Sequence, residues 1–195
     1  MAVFADYADL RVAVMDHVKD PSVMDVMDRL TKMAESDLSR ELKTREQITS
    51  ATVTIASGTA ALPSDFVEVI GLFDAIGYEY IQASIPSVQH NDTRTFYAIS
   101  GTDIEAQGPD GDRTLKYYAA LPTITTSATT TNWLLARFPK VYLYGVAAEA
   151  FTFLEDETKA ARALGLRNAA IEDARRADGR ARYSRARVRV GGVTP

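Results

Sequence analysis

The chain has 195 residues, 46% of them apolar and 25% charged, enough for one compact α+β domain and too ordered a composition for intrinsic disorder. It contains no cysteine, which excludes disulfides, thiolate zinc sites and a cysteine nucleophile. The net charge of −4 is uneven: 174–195 holds seven arginines and one aspartate, a net +6, which leaves −10 for the rest. A basic tail on an acidic body marks an interaction arm. No apolar run is long enough to span a membrane, and the start of the sequence lacks the pattern of a secretory signal.

In chain order, Leu10, Val14 and Val18 stack at helical spacing and predict a helix from Asp6 to Val18. Asp20 and Pro21 read as the N-cap and first position of a second helix. Its stripe is Val23, Val26, Met27, Leu30, Met33 or Ala34, and Leu38, with Glu35 among the charged residues mostly outside it; its end is expected near Lys43 to Gln47.

The texture changes at Ile48. Ile48 to Ala56 alternates as a strand with one wet face, and Ser57-Gly58-Thr59 is a turn. Ser64 is placed to cap a short helix, and Asp65 to accept N–H bonds at the start of the following segment. Tyr78 to Ala83, Arg94 to Ser100 and Thr102 to Gln107 read as strands, and Ile85 to His90 as a short helix or loop. Gly108 to Asp112 is a turn signal, and Thr114 to Ala120 a strand with Leu115, Tyr117 and Ala119 on one face. Together these predict one small, largely antiparallel sheet.

Thr123 to Thr131, with six threonines and one serine, reads as an exposed loop. Helices resume near Asn132 or Pro139, with Val141, Tyr144, Ala147 or Ala148, Phe151 and Leu154 at helical spacing and Trp133 as an anchor. Glu155-Asp156-Glu157 interrupts the pattern, and a last helix is expected from about Thr158 to Asp178, stopped by a left-handed Gly179. The expected architecture is therefore a helical bundle of two N-terminal and two C-terminal helices. The bundle occupies about 6–46 and 132–178 of a 1–178 domain, with a β-rich insertion at about 48–122 and an arginine-rich arm at 179–195.

The residues give no support to an enzyme. His17 and His90 are far apart, no histidine pair has metal-ligand spacing, and no phosphate-binding glycine loop occurs. Gly108 to Asp112 lacks the length and terminal glutamate of a calcium loop. Glu155 and Asp156 are adjacent in sequence, which shows neither burial nor a set separation for acid–base work.

Several phrases, in order, carry a family likeness: Leu62-Pro63-Ser64-Asp65-Phe66, Tyr97-Ala98-Ile99-Ser100-Gly101, Leu115-Lys116-Tyr117-Tyr118-Ala119-Ala120-Leu121-Pro122, Asn132-Trp133-Leu134-Leu135, and Pro139 followed by Tyr142-Leu143-Tyr144-Gly145. Ala148-Glu149-Ala150 and Phe153-Leu154 before Asp156 continue the series. With this order of elements the chain resembles the head-to-tail adaptor (connector, or head-completion) proteins of tailed phages, most nearly the tail-tubular-protein-A type. The resemblance implies a structural, non-catalytic virion protein at the head–tail junction, made in the host cytoplasm and using no cofactor and no metal. It further implies a homo-oligomeric ring, typically of twelve copies, between the portal protein and a tail nozzle or other tail component. Packaged DNA would be held and then passed through the channel without specific binding, and no membrane is involved. Within the arm, Arg180, Arg182, Tyr183, Arg185, Arg187, Val188, Arg189 and Val190 are the expected portal-binding residues. They would act by strand addition through Val188 to Val190 or by arginine pairing with carboxylates. A nucleic-acid-binding protein using the same arginines on phosphates is the alternative.

Overall fold

The computed structural model describes residues 3–84 and 95–183. It divides the chain into two compact units, one of Met1–Leu38 with Pro122–Pro195 and one of Ser39–Leu121.

The first unit is helical. Helix α1 spans Tyr7–Val18, with Asp6 accepting the Asp9 N–H at its start and Lys19 left-handed at its end (φ 59°). Asp20 caps a 3-10 turn, Pro21–Val26, which leads into α2, Met27–Glu41. The expected stripe is buried at Val23, Met27, Leu30, Ala34 and Leu38, while Met33 is exposed. Helix α2 ends earlier than expected, and a separate 3-10 turn covers Arg45–Gln47. Its charged face also differs from expectation, because Glu35 is buried.

Asn132 caps the short helix α3, Trp133–Arg137, by accepting the Leu134 and Leu135 N–H groups. Both leucines are fully buried, whereas Trp133 is only partly so; the anchoring apolar surface is the pair that follows the tryptophan. Pro139 then opens α4, Pro139–Phe153, and Glu155 turns the chain at φ 58° into α5, Glu157–Tyr183. Helix α4 packs against α1 and α5. At Gly145 it also meets α2: a Cβ built there would lie 3.7 Å from Ala34 Cβ, from Leu38 Cδ1 and from Arg167 Cδ. Helix α5 does not stop at Gly179. That residue is absent from the positive-φ positions and the helix runs on to Tyr183, so Arg180, Arg182 and Tyr183 belong to a helix rather than to a separate arm.

The second unit holds two sheets, not the single sheet expected. Strands β1 (Ile48–Ile55), β7 (Gly111–Ala119) and β3 (Phe66–Phe73) form an antiparallel sheet in the order β1-β7-β3. Strands β2 (Thr59–Ala61), β6 (Asp103–Ala106), β5 (Phe96–Ser100) and β4 (Ile81–Gln82) form the other, in the order β2-β6-β5-β4, with β4 parallel to β5. Val53, Leu72, Leu115 and Tyr117 of the first sheet share one core with Tyr97, Ile104 and Ala106 of the second. Chain continuity misled here. Thr59–Ala61 follows β1 through a tight turn with Ser57 at φ 53° and Gly58 at φ 81°, yet it pairs with β6.

The short helix expected after Ser64 is absent; Val67 to Phe73 lies in β3. Its β-branched residues Val67, Val69 and Ile70 favour a strand there over a helical turn, and Phe66, Val69 and Leu72 meet the core of the unit. Ser39 ties the two ends of this unit together, its Oγ accepting the Leu121 N–H at 2.9 Å and its carbonyl accepting Gln47 Nε2 at 2.9 Å.

Candidate functional site

The basic end of α5 begins within its helix. At 1.5 Å per residue its 27 residues extend about 40 Å. The core-facing side is made of small residues, Ala163 and Ala174, with Ile171 and the buried Arg167. The outward side becomes cationic toward the end. Arg175 pairs with Glu172 and Arg176 with Asp173 at i,i+3, and Arg182 Nε lies 2.7 Å from Asp178 Oδ2 at i,i+4. Arg180 Nε donates to the Arg176 carbonyl at 3.4 Å. Cations in a last turn complement the negative end of the helix dipole, so Arg180 and Arg182 stabilise the stem they stand on. Of the residues expected to bind a portal, Arg180, Arg182 and Tyr183 lie in the last turn of this helix. Arg185, Arg187, Val188, Arg189 and Val190 lie outside the described residues, as do Ile85 to His90.

The sequence reading missed a buried polar network in the helical unit. Glu35, 4% exposed, accepts the Ile124 N–H at 2.9 Å and the Tyr142 O–H at 3.0 Å on Oε1. Asn132 Nδ2 donates to Tyr142 Oη at 2.6 Å and to the Pro122 carbonyl at 2.8 Å. Burial pushes the Glu35 carboxyl above its usual range, against the opposing pull of hydrogen bonds from Thr123, Ile124 and Tyr142 and of the Lys32 charge. Burial, then the neighbouring Glu35 charge, pushes the Tyr142 phenol up. The threonine-rich loop is therefore pinned by its one large apolar residue: Ile124 is fully buried and its N–H is held by Glu35.

The β unit has its own buried cation. Arg113, 9% exposed, donates from Nε to Tyr80 Oη at 2.7 Å, from Nη1 to the Asp112 carbonyl at 2.8 Å and from Nη2 to the Pro109 carbonyl at 2.7 Å. It staples the 108–112 turn. Its parity with Leu115 and Tyr117 in β7 was available in the sequence, since residues two apart share a face.

Asp65 does not cap a helix. Its Oδ1 accepts the Tyr117 O–H at 2.8 Å, and its carbonyl accepts the Ala120 N–H at 2.7 Å. Burial, then the Asp65 hydrogen bond and charge, pushes the Tyr117 phenol up to about 12. Two pairs of the quoted phrases thus meet. Asp65 of the Leu62 to Phe66 phrase bonds Tyr117 and Ala120 of the Leu115 to Pro122 phrase, and Asn132 bonds Tyr142 in the Pro139 phrase. Asp156 is likewise structural: it caps α5, accepting the Lys159 N–H at 3.1 Å, and the Lys159 side chain and backbone hold its carboxyl below the usual range. His17 lies edge-on to Tyr144 and Phe151, with both centroids at 5.9 Å. Among the described residues no group of three or more His, Asp or Glu side chains is placed to hold a metal, and no helix is long and apolar enough to cross a membrane.

In this α+β chain with a basic helical stem, Asp65 and Asn132 each bond one of those phrases to another, so the phrases hold the fold. A family model describing the SU10 adaptor protein matches residues 5–191, and the chain belongs to that family of phage head–tail adaptors. Membership makes it a structural phage adaptor, working with portal and tail components at the head–tail junction of the virion. It bears out the adaptor class drawn from the sequence but not the narrower tail-tubular-protein-A type. No curated protein matches the chain.

Proposed function

We propose that this chain is the repeating subunit of a ring seated between portal and tail, which retains packaged DNA and passes it to the tail at ejection. The basic end of the chain docks on the portal. The observation that carries this reading is the unbroken run of α5 through Gly179 to Tyr183. A helix that holds Arg180 and Arg182 at fixed spacing presents them with little further loss of conformational freedom, whereas a coil would lose more on binding. Guanidinium groups favour carboxylates on the receiving surface, where bidentate pairing is available. The arginines of α5 already pair with acids of their own helix, which is the chemistry they would repeat across an interface.

Two truncations test the docking. Deleting 184–195 removes Arg185, Arg187 and Arg189 and leaves the helical stem; deleting 180–195 removes both. Binding to purified portal is expected to fall with the first deletion and to disappear with the second. Portal binding equal to that of the full chain after the longer deletion would overturn the docking assignment. Steeply salt-dependent binding of the free chain to DNA, lost with the same deletion, would favour the nucleic-acid reading instead.

A further inference from the structure

The turn between β3 and β4 is built unlike a passive loop. Four hydrogen bonds converge on Asp74: its Oδ1 accepts the N–H of Ile76 at 3.0 Å and of Tyr78 at 2.8 Å, its N–H donates to the Tyr78 carbonyl at 3.0 Å, and its carbonyl accepts the Gly77 N–H at 3.2 Å. Gly77 supplies the left-handed residue at φ 92°. This rigid tip holds two large apolar side chains in water, Ile76 at 79% and Tyr78 at 72% exposure. Acidic residues flank them, Asp74 before and Glu79 after. Rigid aromatic and aliphatic side chains with a charged surround have the makeup of interface anchors.

The helical unit carries a matching recess. Phe138 and Pro139 at the start of α4, with Ala170 of α5, line an apolar cavity of about 350 Å³. That volume accepts one aliphatic side chain and the edge of a ring. Arg137 and Lys140 also line it, and these two cations complement the acidic flanks of the tip. Asp173, another lining residue, lies 3.8 Å from Arg176.

We infer that Ile76 and Tyr78 of one copy insert into the Phe138–Pro139–Ala170 cavity of the next copy. This deepens the ring reading and rests on it. Tip and cavity are different surfaces, so the contact is heterologous, the kind that builds a ring when its rotation closes, as an isologous contact cannot.

The absence of cysteine makes the test clean. Ile76→Cys and Ala170→Cys are purified separately, mixed, and oxidised, both free and with purified portal. A disulfide-linked mixed dimer is expected at many times the yield of either variant alone, and the double variant should give a covalent ladder. In a second arm, Lys140→Glu should weaken self-association at least tenfold, and Glu79→Lys mixed with it should restore the lost contact. Rings seen by electron microscopy that give no mixed cross-link would overturn this pairing while leaving the ring intact. Cross-links from Ile76→Cys to portal alone would assign the tip to another partner and also overturn it. No ring under any of these conditions would remove the ring reading and this inference together.

Discussion

Removing the Glu35 carboxylate is expected to destabilise the helical unit more than any change to its charge alone. In Glu35→Ala the Ile124 N–H loses its partner in a closed interior, at about 1–3 kcal/mol for a buried donor left unsatisfied. Tyr142 keeps its bond from Asn132, so its loss is smaller. With the space vacated, the total should reach about 2–4 kcal/mol. Glu35→Gln keeps an oxygen where both donors point and removes the charge that burial disfavours. Glu35 has its folded-state pKa raised above the unfolded value. Its contribution is therefore fully present at pH below the ordinary carboxyl value and is lost as pH rises through the raised folded value. Native protein should lose this increment as pH rises above the ordinary carboxyl range, while Glu35→Gln should not, so the glutamine variant gains relative to native as pH climbs. Urea unfolding followed by the fluorescence of Trp133, the single tryptophan and next to Asn132, reads out this unit. An alanine variant within about 0.5 kcal/mol of native, the range of an unremarkable surface change, or parallel pH curves for native and glutamine forms, would refute the assignment.

Gly145→Ala should be tolerated, with an increase in Tm, because the added Cβ meets three neighbours at ordinary contact distance and alanine favours a helix by up to about 1 kcal/mol; Gly145→Leu should lower stability by about 1–3 kcal/mol through overpacking. Gly179→Pro should break α5 before its last turn, at about 3 kcal/mol locally, and Gly179→Ala should strengthen it; circular dichroism should show the helicity change, and portal binding should follow it. Arg113→Met should lower the Tm of the β unit, since Tyr80 Oη and the Pro109 and Asp112 carbonyls lose their donor, and hydrogen exchange should rise first in the 108–112 turn.

Local signals were readable where one element decides the outcome. Asp20 is a cap as read, though of a 3-10 turn that precedes α2, the apolar stripe is buried almost as its spacing implies, and Leu115 and Tyr117 share the inner face of β7. The misread positions depend on distant partners. Glu35 belongs inside only because Ile124 and Tyr142, 89 and 107 residues away, bring donors to it. Asp65 was assigned a local cap, yet its partner is Tyr117. Gly179 carries the usual signal for a helix end, but φ stays negative and the arginines that follow suit a helix C-terminus. The second sheet was hidden because strand order follows pairing across the core, which sequence adjacency does not encode. For the basic end, the charge was plain in the composition; its helical support was not.

The clasp at Ser39 closes the β unit on itself. With Leu121 and Gln47 both fastened to one residue, entry and exit of an 83-residue excursion sit at the same spot. A segment rooted at a single point can be exchanged for another of different size without re-threading the scaffold that receives it.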